Sequence, residues 1–117
     1  MADVDGRVAL SYLLDFYGPL LTEHRRELLR LYCEEDLSLS EIAEQMSITR
    51  QGVSDAIRKA RAQLEGYEEK LGLVGRYLAI DRQARACMEA LDRIGSDDAG
   101  AMARARQALE NILRIER

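Results

Sequence analysis

Apolar residues recur every three or four positions along almost the whole chain, a spacing typical of helices with one buried face. No segment alternates apolar and polar residues in the way of a half-buried strand, and no turn pair would close a β-hairpin. The pattern therefore predicts an all-α fold. Six helices are expected, at about 5–17, 23–36, 39–46, 50–71, 76–94 and from 99 onward.

Particular residues mark where these helices begin and end. Pro19 disfavours helical geometry at Gly18, so the first helix has to end there. Ser38 and Glu41 have the form of a capping box, in which each side chain bonds to the other residue's backbone amide. The other expected boundaries are N-caps at Thr22 and Thr49, a break at Gly72 and Gly75, and a turn with a capping Asp at 95–98.

The fourth predicted helix is longer than a small domain needs, and its apolar stripe continues to the end, so its distal part must pack on something. That stripe consists of Val53, Ile57, Ala60, Leu64, Tyr67 and Leu71. The last two helices are predicted to form an αα-hairpin. The residues expected to be buried there are Leu78, Ala84, Cys87, Met88, Leu91, Ile94, Met102, Ala105, Leu109 and Ile112. We expect a core domain at 1–75 and the hairpin at 76–117, packed on the core or on a second subunit.

The composition supports a helical protein and argues against a membrane-spanning or secreted one. The chain has 117 residues, of which 32% are charged and one is proline. Its longest apolar stretches span four or five residues, whereas a bilayer span needs about 20, so no membrane insertion is expected. The acidic N-terminus has no apolar segment of the kind found in signal peptides, which predicts a cytoplasmic protein. Cys33 and Cys87 are expected to be small buried hydrophobic residues.

The strongest functional motif is a short helix, a tight turn and a second helix between residues 39 and 60, the arrangement of a helix-turn-helix. Ala43 is the small residue where the helices cross. The residues expected to lock them together are Ile42, Met46, Ile48, Val53 and Ile57. The predicted nucleic-acid-binding residues face outward from the second helix: Thr49, Arg50, Gln51, Ser54, Asp55, Arg58, Lys59 and Arg61.

Within that set, residue type and position suggest different roles. Arg50 and Gln51, near the helix N-terminus, are suited to base edges in a major groove. Arg58, Lys59 and Arg61 are suited to phosphates. Asp55 would repel phosphates, although a carboxylate can accept a hydrogen bond from cytosine.

Charge is distributed unevenly along the chain, so the net charge does not describe each segment. The chain carries a net charge of −4, which argues against a nucleic-acid partner when taken as an average. Residues 1–37 alone account for −4, whereas residues 50–61 carry +3. The motif is therefore a basic patch on an acidic protein, which predicts weak and localised binding.

No set of residues points to catalysis or to a cofactor. His24, the sole histidine, lies in a first helical turn among charged residues and is expected to be exposed. The sequence has no phosphate-binding loop, no Cys-rich metal pattern and no nucleotide fingerprint. We predict a protein that is not an enzyme, and no cofactor or metal.

Four segments of the chain carry a family resemblance: LDFYGPLLT at 14–22, LSLSEIA at 37–43, ITRQGVSDAI at 48–57 and YEEKLGL at 67–73. Together they resemble the YlxM-like family of small bacterial helix-turn-helix proteins. The resemblance covers roughly residues 8–75 and implies an all-helical nucleic-acid-binding protein, similar to region 4 of sigma factors, that acts with the signal recognition particle pathway. The chain departs from the family pattern at Gly52, where Ala is usual, and at Cys33, where an aromatic residue is common.

Several alternatives follow from the same residues. DNA is the expected partner; RNA would use the same basic cluster through shape and phosphates, with little role for Gln51. The competing class is a protein-interaction module or dimeric adaptor that binds no nucleic acid.

We expect a homodimer, because a small domain gains much by doubling its core. The corner at 14–22 is interpreted as a rigid turn; a docking surface there would require both Phe16 and Tyr17 to be exposed.

Overall fold

The computed structural model describes residues 4–94 and 99–116, and these residues form an all-α structure. The chain divides into two compact units, Met1–Val74 and Gly75–Arg117. Six α-helices lie in the described ranges: α1 (Val4–Tyr17), α2 (Glu23–Cys33), α3 (Leu39–Met46), α4 (Arg50–Leu71), α5 (Leu73–Asp92) and α6 (Ala101–Glu116). The predicted fold class is confirmed.

Helices α1 to α4 surround the core of the first unit. α4 packs against α1, α2 and α3, and its buried stripe consists of Val53, Ile57, Ala60 and Leu64. The distal part of this helix packs on α1, where the rings of Tyr67 and Tyr17 lie 5.9 Å apart. The apolar stripe of α4 therefore packs within its own unit as far as Tyr67, whereas Leu71 is exposed.

The predicted caps are present. Thr22 and Thr49 each accept a hydrogen bond from the backbone amide three residues later, and Ser38 and Glu41 form both bonds of the capping box. Gly72 ends α4 in the left-handed conformation, with φ of 63°. Gly75 is no break, because α5 begins at Leu73 and runs through it. The turn expected at 95–98 lies outside the described residues.

The corner after α1 is a short 3₁₀ turn, Gly18–Leu20. Tyr17 is 1% exposed and Phe16 37%, so a docking surface built on both rings is wrong. Tyr17 instead serves the core, because its ring packs on Tyr67. Cys33 is only half-buried, contrary to expectation, whereas Cys87 is buried. Desolvation raises the pKa of the Cys33 thiol to about 11.

The second unit differs most from the sequence-based expectation. Cys87 and Ala105 are buried as predicted. Five large residues expected to be buried are instead between 45% and 65% exposed: Met88, Leu91, Ile94, Met102 and Leu109. The contact between α5 and α6 consists of small residues, so the helical spacing identified apolar faces correctly but not which of them is covered.

Candidate nucleic-acid interface

The helix-turn-helix is formed by α3, a three-residue turn and the start of α4. Ile42 and Val53 are fully buried and Ala43 and Ile57 nearly so, which fixes α3 against α4. Met46 and Ile48, also expected in this contact, are half-buried. In the turn, the amide of Ile48 donates to the carbonyl of Ala43 over 3.0 Å.

Ser47 makes the turn possible. It adopts φ of 57° and ψ of 42°, the left-handed conformation that Gly adopts without strain. Its backbone amide donates to the carbonyls of Ala43 and Glu44, which closes the end of α3. The chain can therefore reverse direction within three residues and start α4 at Arg50.

The start of α4 presents donors and positive charge. Thr49 Oγ1 accepts from the amide of Gly52 over 2.9 Å, and no acidic residue lies in the first turn. The positive end of the helix dipole is therefore not neutralised by a carboxylate in that turn, and Arg50 adds a further charge there. A Cβ added at Gly52 would lie 3.0 Å from Thr49 Oγ1, so Ala at this position would crowd the cap.

The predicted binding residues occupy three sides of α4. Because successive helical residues are about 100° apart, Gln51, Asp55 and Arg58 lie opposite the buried stripe. Arg50, Ser54 and Arg61 lie on one flank, and Lys59 lies on the other. All of them are exposed except Asp55 and Arg61, which are half-buried. Arg58, Lys59 and Arg61, grouped together by sequence, thus point in different directions around the helix.

Asp55 organises the centre of this surface. Its Oδ1 accepts from Gln51 Nε2 over 3.2 Å and from Arg58 Nη2 over 3.0 Å. The Arg58 guanidinium, and then the Gln51 amide, hold the pKa of the Asp55 carboxyl below its usual range. Asp55 is therefore ionised at neutral pH, positions Gln51 and offsets the charge of Arg58.

Three cations remain to supply a positive field. Arg50, Lys59 and Arg61 form no ion pair within residues 4–94 and 99–116, whereas Arg58 is paired with Asp55. Since Arg50 and Arg61 share a flank and Lys59 lies on the other side, positive charge borders Gln51 and Asp55 on both sides. This arrangement matches a groove with phosphates along both of its edges.

Sequence reasoning missed two polar connections that support α4. Arg25 Nη1 on α2 donates to Gln63 Oε1 over 2.7 Å, and Gln63 Nε2 donates to Tyr67 Oη over 2.8 Å. Near the far end of α4, Tyr17 Oη donates to Glu68 Oε1 over 2.6 Å. These partners lie 38 and 51 residues apart in the chain, so no local signal reveals them.

Residues 4–94 and 99–116 contain neither a candidate metal centre nor a candidate membrane span. Among the residues that the structure describes, no three His, Cys, Asp or Glu side chains are grouped as a metal site requires. No helix in those ranges is long and apolar enough to cross a bilayer. His24 is exposed on α2.

Comparison with known proteins agrees with this architecture. The model of the UPF0122 family, described as "Putative helix-turn-helix protein, YlxM / p13 like", matches residues 4–93. A UPF0122 protein of Symbiobacterium thermophilum is 47% identical over 109 residues, which cover 93% of this chain and 96% of the relative. A UPF0122 protein of Acetivibrio thermocellus is 50% identical over 92 residues, covering 79% of this chain and 76% of the relative. The chain therefore belongs to the UPF0122 family of YlxM / p13-like helix-turn-helix proteins.

Proposed function

We propose that the protein is a regulatory nucleic-acid-binding protein in which the N-terminal half of α4 enters the major groove of duplex DNA. The observation that carries the proposal is the ring of charge around that half-helix, with Arg50, Lys59 and Arg61 bordering Gln51 and Asp55. Membership of a helix-turn-helix family supports the same role. In this interpretation the protein is not an enzyme.

The proposed roles follow from side-chain position. Arg50 and Gln51 contact base edges, because they lie in the first turn of α4. Lys59 and Arg61 contact phosphates directly, and Arg58 does so by exchanging its exposed bond to Asp55 for a phosphate oxygen. Thr49 and Ser54 add hydroxyl donors at the same end. Asp55 restricts the bases that the surface accepts, because its carboxylate favours a donor such as cytosine N4 and disfavours a phosphate.

A competition experiment separates DNA from RNA as the partner. We expect labelled duplex DNA bound by the protein to be displaced by unlabelled duplex DNA at lower concentration than by a structured RNA of equal length. Gln51→Ala should lower the preference among DNA sequences, since each bidentate contact contributes about 1–3 kcal/mol of discrimination. Gln45→Ala, at an exposed α3 residue, is the control. Stronger displacement by RNA, with no effect of Gln51→Ala, would assign the site to RNA instead.

Two finer proposals concern partners. By the resemblance to YlxM-like proteins, we propose a role with the signal recognition particle pathway in the cytoplasm. Retrieving what co-purifies with the native protein, with and without nuclease, tests it: components of that particle are expected among the retained molecules, and their absence under both conditions would contradict it.

The second candidate function is a protein-interaction module that binds no nucleic acid. One observation favours it, namely the large apolar side chains exposed on the second unit. We also propose that the chain acts as a homodimer. The two functions differ in the surface they require, because one uses the start of α4 and the other uses α5 and α6.

A further inference from the structure

The helices of the second unit meet through small side chains. Their buried cluster consists of Cys87, Ala90, Ala105 and Ala108, each 7% exposed or less. Such residues allow two helices to approach closely but bury little apolar surface. A unit of about 40 residues with this core lies at the lower limit of what folds without an additional stabilising contact.

The large apolar residues of the same helices lie outside that contact. They are Met88 and Leu91 on α5 and Met102, Leu109 and Leu113 on α6, and they are 48% to 65% exposed. On each helix these residues lie between about 40° and 160° around the axis from the buried small residues, all in the same rotational sense. They therefore form one stripe beside the interhelical contact on α5 and one on α6.

The two stripes lie on the same face of the hairpin. On both helices the large residues are rotated away from the contact in the same sense, viewed from N- to C-terminus. Because the two helices run antiparallel, that rotation brings both stripes to the same side of the pair. The opposite flanks agree with this geometry, because Ala86 and Glu89 of α5, and Arg93 just after it, line one cleft together with Arg104 of α6. That other face is polar. The hairpin thus has one apolar face, defined by Met88, Leu91, Met102, Leu109 and Leu113, and one charged face.

Two ion pairs, each within one helix, lie beside the apolar face. Asp81 and Arg85 form an ion pair on α5 at 2.8 Å, and Arg106 and Glu110 form one on α6 at 3.9 Å. A surface for anionic lipid or for nucleic acid needs an excess of cations around the apolar residues, which these closed pairs do not supply. Two copies of such a face bring together closed ion pairs at these four positions, which lowers the repulsion between like charges.

We propose that this apolar face is the dimer interface, where two copies of the chain join their hairpins into a four-helix bundle. The five side chains expose about 500 Å² of apolar surface, the size of the largest patch on a typical monomer. Two such faces bury about 1,000 Å², which reaches the lower limit of specific interfaces. A twofold axis makes the contact self-complementary and gives each hairpin the large-residue core that it lacks.

Sedimentation equilibrium of the full chain tests the interface. At about 10 µM, the wild-type chain is expected to have the mass of two chains. Leu109→Glu combined with Leu113→Glu should have the mass of one. The control, Gln107→Glu on the charged face of α6, should remain a dimer. Far-UV circular dichroism establishes that each variant is helical.

A milder pair keeps the test informative if the charged variant unfolds. Leu109→Ala combined with Leu113→Ala should raise the dimer dissociation constant at least tenfold while the helical signal persists. A wild-type chain that sediments as a monomer at 100 µM would overturn the proposal and indicate another occupant of the face. A charged double variant that stays dimeric would overturn it as well, because the copies would then join elsewhere.

Discussion

At the scale of single residues, short-range signals were readable from sequence and strained conformations were not. The caps at Thr22, Ser38 and Thr49 were predicted correctly because donor and acceptor lie three residues apart. Ser47 occupies a turn position that Gly often holds, but no hydrogen-bond pattern readable from the sequence indicates its left-handed conformation. The tight turn therefore carries a conformational cost at this residue.

Ser47→Gly is expected to stabilise the protein. Removing the side chain relieves the left-handed strain, and the gain, less the greater entropy of Gly in the unfolded chain, should be about 0.5–1 kcal/mol in the free energy of unfolding. Urea unfolding followed by circular dichroism measures it. Glu44→Gly, at an exposed position inside α3, is the control and should destabilise by a similar amount. Destabilisation by Ser47→Gly would contradict the strain argument.

At the scale of elements, the junction of α4 and α5 depends on a contact distant in sequence. Tyr17 Oη donates to Glu68 Oε1 and accepts from the amide of Leu73 over 3.1 Å, and Glu68 Oε1 accepts from the amide of Val74 over 3.0 Å. Two side chains thus bind the first amides of α5. Sequence placed Gly72 at this break correctly, but periodicity is silent about a tyrosine 56 residues away from Leu73.

Tyr17→Phe should weaken this junction by about 1–3 kcal/mol, because it removes two part-buried hydrogen bonds, one to Glu68 and one from the amide of Leu73. Tyr67→Phe, which removes one part-buried hydrogen bond from Gln63, is the comparison and should cost less than about 1 kcal/mol. The free energy of unfolding in urea at pH 7 measures both. Equal decreases for the two variants would contradict the role assigned to Tyr17.

The pH dependence of stability provides an independent check on Tyr17. Burial, and then the bond to Glu68, raise the pKa of Tyr17 above its ordinary value of 10. The unfolded state therefore loses this proton first, so the stabilisation is complete below pH 10 and is lost as the pH rises towards the folded-state pKa. The slope contributed by one proton is at most about 1.4 kcal/mol per pH unit. We expect the stability difference between wild type and Tyr17→Phe to shrink above pH 10; a constant difference would contradict the shifted pKa.

At the scale of the whole molecule, spacing and composition predicted the helices but not what covers them. Helical periodicity identifies residues that share a face, and it assigned Met88, Leu91, Met102 and Leu109 to buried faces. In one chain those faces are exposed, because the α5–α6 contact uses Cys and Ala instead. The net charge of the chain likewise did not predict a basic surface, because the acidic residues of the N-terminal segment outnumber the cations at the start of α4.

The central claim is that the cations around the N-terminal half of α4 bind phosphates. The dependence of affinity on salt tests it most directly, because each phosphate contact releases counterions. The measurement is the fluorescence anisotropy of a labelled DNA duplex over a series of salt concentrations. It compares the wild type with Arg58→Ala, Lys59→Ala and Arg61→Ala combined. The control combines Arg26→Ala, Lys70→Ala and Arg82→Ala, which make the same change in net charge at exposed positions elsewhere.

The variant that lacks Arg58, Lys59 and Arg61 should bind DNA more weakly than the control variant. Its plot of log affinity against log salt should be shallower by about 0.9 for each phosphate that the variant no longer neutralises. The control should keep the wild-type slope, because its cations lie outside the interface. An α4 variant with unchanged affinity and unchanged slope would contradict the assignment of this surface to nucleic acid.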